Sequence, residues 1–132
     1  EGAAFLEENL LPMNESGKLK FIEKNTELFP GINLRLYNGH TVGQIIPFIT
    51  TEEKTYVFVA DLIPSTAHIP LVWNMAYDVR PMDMLQEKES FLNEAADKNY
   101  ILIFQHDVYN ECCTVHHTEK GVRVKETFNL II

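Results

Sequence analysis

A chain of 132 residues, 45% of them hydrophobic and 23% charged, is long enough to bury one core and too apolar to be a disordered tail. Its formal net charge of −8 repels phosphate backbones and argues against nucleic acid as a partner. No apolar run approaches the roughly 18 residues that would argue for a membrane span.

Glu1-Gly2-Ala3-Ala4 has neither the basic start nor the apolar core of a signal peptide. The only cysteines, Cys112 and Cys113, are adjacent. A disulfide between neighbours strains the ring it closes, so free thiols and a reducing, cytoplasmic setting are expected. No CxxC pattern suggests a structural zinc knuckle.

Residues 3–13 place Phe5, Leu6, Leu10 and Met13 at helical spacing opposite Glu7 and Glu8, which predicts a short amphipathic helix ended at Gly17. Residues 18–22, 27–29 and 32–37 read as short strands, the last two joined by a Pro30-Gly31 turn. After Asn38-Gly39-His40-Thr41 comes a strand over 44–49 and a polar hairpin tip at Glu52-Glu53-Lys54. The run 55–60 is nearly all apolar and predicts a strand buried on both faces. Residues 61–81 carry three prolines and no period; a loop of that length is usually functional or holds short helical turns. A helix is predicted over 82–98, with Leu85, Phe91, Leu92 and Ala95 on its buried face. A short buried strand at 101–104 precedes a final hairpin, 113–117 and 122–128, turning at Glu119-Lys120-Gly121. The order is that of an α+β fold in which antiparallel strands dominate.

His40, Asp61 and His106 each stand where an apolar strand gives way to a loop, the position at which a rigid scaffold presents functional side chains. Singly, each has an ordinary reading as a turn former or cap. Together they offer imidazole nitrogen and carboxylate oxygen, the donors that suit zinc, manganese and iron. Of the other histidines, His68 lies in the 61–81 loop, where it is a candidate for lining a substrate pocket. His116 and His117 alternate along a strand, so at most one can face inward. Trp73, Met75 and Tyr77 could wall the same pocket. The cysteines lack an activating neighbour and are not proposed as nucleophiles.

Three segments carry a resemblance. Gly39-His40-Thr41-Val42-Gly43-Gln44 is similar to the Gly-His-Thr-x-Gly-[His/Gln] motif of the metallo-β-lactamase-fold metal-dependent hydrolases. Phe58-Val59-Ala60-Asp61 resembles the strand that leads to that family's bridging aspartate. Ile103-Phe104-Gln105-His106-Asp107 resembles the strand before its last metal-binding histidine. The intervals, 61 − 40 = 21 and 106 − 61 = 45 residues, fit as well, and the likeness spans nearly the whole chain.

The resemblance implies that 1–132 is a single, partial domain, the C-terminal half of an αββα sandwich. His40 would hold a first metal ion, Asp61 would bridge two, and His106 would hold the second. The cofactor implied is a pair of divalent transition metals, zinc first, with iron or manganese as alternatives. The activity implied is hydrolysis of an ester, thioester, lactone or phosphoester of a small molecule by a metal-activated hydroxide. The family's remaining ligands come from an upstream His-x-His-x-Asp-His motif that this chain lacks. The chain is therefore expected to be a fragment, inactive alone, and to pair with an N-terminal half or with itself. The alternative is a non-catalytic binding or assembly module on the same scaffold. A His-x-His-x-Asp-His segment encoded upstream of Glu1 would favour the enzyme. No membrane or nucleic-acid partner is expected.

Overall fold

The computed structural model describes residues 6–130. Seven strands form one sheet in sequence order: β1 (Thr26–Phe29), β2 (Ile32–Tyr37), β3 (Gln44–Thr50), β4 (Thr55–Phe58), β5 (Ile101–Ile103), β6 (Cys112–Thr118) and β7 (Gly121–Phe128). Every neighbouring pair is antiparallel except β4 and β5, which run parallel. Two parallel neighbours need a crossover. Here it holds a 3-10 turn (Thr66–His68) and the long helix α2 (Pro81–Lys98). A shorter helix, α1 (Glu7–Glu15), precedes the sheet.

Helix α2 starts with Pro81, whose fixed φ suits the first helical position, and carries Asp83 in its first turn. It ends at Asn99, left-handed at φ 53°, a conformation that asparagine tolerates better than most residues. Its buried stripe is Met84, Lys88, Phe91, Leu92 and Ala95. Phe91 lies edge-on to Tyr37 and to Phe48, with ring centroids 6.4 and 6.1 Å away. Registration continues the core across the sheet: Phe48 opposes Val57, Val57 opposes Leu102, and Leu102 opposes Cys113. Burying a side chain the size of Phe91 contributes roughly 1.5–3 kcal/mol. Arg35 stacks 4.0 Å over the Phe48 ring and makes a two-pronged ion pair with Glu94 at 2.6 and 3.0 Å. Glu94 also accepts from Lys98 and the Tyr100 hydroxyl.

The sheet's other face is also apolar. Leu36 stands beside Ile45, Ile32 beside Ile49, and Phe58 beside Ile103. Ile45 and Ile49 are each 40% exposed, whereas Ile46 and Phe48 between them are buried under α2.

The expected α+β architecture is present, with several differences in detail. Residues 18–22 form no strand; Phe21 is 75% exposed, and alternation without a partner strand makes no ladder. The helix near the start exists, but none of its residues is buried, so Leu10 and Met13 pack no core; Phe5 lies outside the described residues. The 55–60 run is a strand only to Phe58, and its buried residues, Val57 and Val59, both belong to the core that α2 covers. On α2 the apolar stripe passes through Met84, not Leu85, and takes in Lys88.

Candidate metal centre

His40 sits between β2 and β3, and α2 holds it there. Both carboxylate oxygens of Glu87 accept backbone amides of the preceding turn, Asn38 N at 2.7 Å and Gly39 N at 2.9 Å. Gly39 packs directly on the helix backbone: a Cβ at this position would lie 2.4 Å from Met84 Cα, closer than non-bonded carbons can come. The Gly39 and His40 carbonyls accept from Arg80 N and Val79 N, which ties the turn to the residues that lead into α2.

The imidazole is then aimed by an aspartate far along the chain. His40 Nδ1 lies 2.9 Å from Asp78 Oδ1, and the Asp78 side chain is wholly buried. The other Asp78 oxygen accepts the Met75 amide at 3.1 Å. A buried carboxylate needs such donors. With Nδ1–H donating to Asp78, the lone pair falls on Nε2, the tautomer that binds metal. Tyr77 closes one side, its ring edge-to-face with the imidazole at 6.0 Å.

Asp61 and His106 reach the same place because β4 and β5 are parallel. Phe58 pairs with Ile103, and Val59 N donates to Ile103 O at 3.0 Å, so both strands deliver their following loops to one edge of the sheet. Ala60, immediately before Asp61, has φ +41°, a left-handed conformation of the kind that costs a non-glycine residue roughly 1–3 kcal/mol and gathers at functional sites. Asp61 Oδ1 lies 3.1 Å from His106 Nε2, and its Oδ2 lies 3.8 Å from His40 Nε2. The three residues singled out by sequence are thus brought together around one carboxylate.

The donor set of two imidazole Nε2 atoms and one carboxylate suits a divalent transition metal, and the Asp78–His40 pair is the orienting contact such ligands normally have. It fits as part of a shell: zinc takes about four ligands, and among the described residues no group of three His, Cys, Asp or Glu closes around a single cation position.

His68 ends the 3-10 turn, its Nδ1 2.8 Å from Ser65 Oγ. Burial pushes this imidazole below its ordinary pKa, and the nearby Lys88 charge adds to the effect. The turn is pinned by Asp107, which accepts the Thr66 amide at 2.9 Å and its hydroxyl at 2.6 Å, and also the Tyr109 and Asn110 amides. Burial opposes ionisation of Asp107, but these donors outweigh it and hold the carboxyl below the usual range. His116 and His117 are both exposed, so neither faces inward, and His117 pairs with Asp97 at 2.7 Å. Cys112 and Cys113 are free and buried. No helix among the described residues is long and apolar enough to cross a membrane.

Asp78, Glu87 and Lys88 were not evident from sequence. Asp78 resembles any acidic turn residue until the fold sets it against His40, and only a helical wheel that places Lys88 in the apolar stripe would have marked it.

The α+β scaffold thus converges two imidazoles and one carboxylate at one edge of the sheet. No protein-family description and no curated protein sequence matches the chain, but solved structures do. A probable metal-dependent hydrolase from Staphylococcus aureus superposes with a TM-score of 0.75 at 30% identity, over 88% of this chain and 42% of that one. The dizinc quorum-quenching lactonase AidC, solved with a product, superposes at 0.76 with 25% identity, over 92% and 42%. The hydrolase AbOPH of the β-lactamase superfamily, at 15% identity and a TM-score of 0.74 over 87% and 40%, shares the fold. The chain has the C-terminal portion of the metallo-β-lactamase fold of metal-dependent hydrolases, and it spans about two fifths of the length of these structures.

Proposed function

We propose that this chain supplies His40, Asp61 and His106 as ligands to a pair of divalent transition metals, zinc foremost, in a hydrolase acting on an ester, thioester, lactone or phosphoester of a small molecule. The observation that carries the proposal is the Asp61 carboxylate, which presents one oxygen toward the Nε2 of His106 and the other toward the Nε2 of His40. A carboxylate so placed can serve two cations; the His40 imidazole, with Nδ1 engaged by Asp78, has one nitrogen to offer. AidC is a dizinc lactonase, which supports the metal and the hydrolytic class.

Bound metal would supply Lewis acidity and a lowered pKa for coordinated water. The chain's own residues do the rest. Asp78 fixes the His40 tautomer and ring plane, and its burial keeps that contact out of competition with water. Ala60 and the parallel β4–β5 pair set the Asp61 carboxylate between the imidazoles. His106, half exposed, borders the side from which a substrate can approach.

The test is zinc content by elemental analysis of the full-length protein, with Asp61→Ala and Asp61→Asn beside it. Both substitutions should lower metal occupancy while leaving the unfolding midpoint within a few degrees, because a strand-end side chain adds little to the core. Hydrolysis of a panel of lactones, thioesters and phosphoesters should fall with occupancy. Full activity and full occupancy in Asp61→Ala would overturn the assignment. A second reading is a binding or assembly module on the same scaffold; a full-length protein that binds no zinc would decide for it.

A further inference from the structure

A cavity of about 210 Å³ opens between α2, the loop after the 3-10 turn and the β6–β7 turn, and it shares no lining residue with the candidate metal centre. Leu92 and Val122 line it, and both belong to the core beneath α2. It therefore lies on the α2 side of the sheet, away from the face that bears Ile45 and Ile49, and a polypeptide covering that apolar face would leave it open. Pockets for drug-sized ligands run from roughly 300 to 1,000 Å³, so the occupant here is smaller.

The lining combines an apolar floor with charges of both signs. Pro70, Leu71, Leu92 and Val122 supply the floor. Glu89 comes from the exposed face of α2, whereas Lys120 and Arg123 come from the hairpin. Arg123 Nη1 donates to the Val122 carbonyl at 2.7 Å, which holds the guanidinium at the rim. The ion pairs of this region lie elsewhere, Glu94 with Arg35 and Lys98, and Asp97 with His117. Among the described residues Glu89, Lys120 and Arg123 thus have no ionic partner, although opposite charges line one cavity. A simple carboxylate would meet the two cations but also Glu89, and a simple amine would meet Glu89 but also the cations. A zwitterion answers both signs at once.

We propose that this cavity binds a small apolar α-amino acid, its carboxylate on Arg123 and Lys120, its ammonium on Glu89 and its side chain on Leu92 and Val122. Occupancy reaches the candidate centre through the wall formed by Pro70 and Leu71. Their carbonyls accept Lys88 Nζ at 3.0 and 3.2 Å, and the same loop runs on to Asp78, which orients His40. An amino acid packed on that wall binds only while the loop is closed, so it stabilises the closed loop. Neither the binding nor the bracing requires the metal assignment above.

The experiment uses the full-length protein and three probes with one branched side chain: L-leucine, 4-methylpentanoate, which lacks the ammonium, and 3-methylbutylamine, which lacks the carboxylate. In calorimetric titrations leucine should bind saturably and about 5-fold more tightly than either analogue, the upper range of one exposed ion pair. Glu89→Gln should erase the advantage over 4-methylpentanoate, and Arg123→Gln the advantage over the amine. Asn93→Trp, at an exposed helix position on the cavity wall, should fill the cavity and abolish leucine binding with the unfolding midpoint retained. With leucine at ten times its dissociation constant, amide exchange at Trp73, whose N donates to Pro70 O, should slow about 10-fold. No saturable leucine binding, tighter binding of either analogue by the unmodified protein, or a leucine affinity unchanged in both Glu89→Gln and Arg123→Gln overturns the site. Leucine bound with Trp73 exchange unchanged overturns the bracing.

Discussion

Replacing Lys88 with methionine tests how the site is held. Lys88 is 1% exposed and sits in the apolar stripe of α2, four residues after Met84. Its ammonium donates to the carbonyls of Pro70, Leu71 and Trp73 at 3.0, 3.2 and 2.9 Å, with Asn74 Oδ1 at 3.3 Å. These carbonyls belong to the loop that continues to Met75, Tyr77 and Asp78. Hydrogen bonds to a charged group contribute roughly 1.5–3 kcal/mol each. Against them stands the burial that pushes the Lys88 pKa from 10.5 down to about 8, equivalent to about 3 kcal/mol. For the three carbonyl bonds the balance leaves a loss of about 1.5–6 kcal/mol for Lys88→Met, measured by urea unfolding near pH 7. Amide exchange should quicken at Trp73 and Asp78, whose backbone bonds close that loop. The pH dependence has a definite sign. Between about 8 and 10.5 the native state binds fewer protons here than the unfolded chain, so this lysine makes the wild-type protein more stable as pH rises through that window. The Lys88→Met protein lacks that gain, so its deficit should widen. A variant within 0.5 kcal/mol of wild type, with unchanged exchange and a deficit flat in pH, would refute the reasoning.

Three further outcomes are expected. Glu94 is held near pKa 2, first by its hydrogen bond to Arg35 and then by Lys98 and Tyr100. The stability it contributes is complete above its ordinary value of 4.5 and is lost as pH falls from there toward 2. The loss should be about 1–2 kcal/mol after allowing for partial solvation, and an acid titration of Glu94→Gln should be flatter over that range. Gly39→Ala forces a methyl to within 2.4 Å of the α2 backbone. It should cost about 1–3 kcal/mol or more and weaken zinc binding through His40; unchanged calorimetry of folding and of zinc binding would disprove the close packing. The 132-residue chain itself should associate through the sheet face that bears Ile45 and Ile49, with a second copy or with the polypeptide that completes the sandwich. A monomer in dilute sedimentation that binds no hydrophobic dye would contradict this.

The parts of the site carried by short local patterns were legible in the sequence. Asp61 and His106 follow apolar runs, and strand ends present side chains at loops whatever the partner strands are. The parts carried by tertiary packing were not. Asp78 lies 38 residues from the histidine it orients, and nothing local separates it from a solvated turn acid. Glu87 and Lys88 fall inside a helix whose charged residues normally face water; their roles exist only because loops 38–39 and 70–74 fold over those turns. The opposite error has the same origin. Leu19 and Phe21 alternate like a strand, but a strand exists only when another offers it hydrogen bonds, and none does at 18–22.

Three successive contacts that hold the candidate centre meet on α2. Met84 accepts the close approach of Gly39, Glu87 fixes the two amides before His40, and Lys88 fixes the loop that leads to Asp78. The same helix is the crossover that makes β4 and β5 parallel and so brings Asp61 beside His106. Side-chain exposure then rises in one direction across the group, from 12% at His40 to 30% at Asp61 and 51% at His106. The helix therefore closes the His40 side and leaves the His106 side open. On the proposed function, further metal donors and a substrate would approach from that side, which His68, Met75 and Tyr77 border.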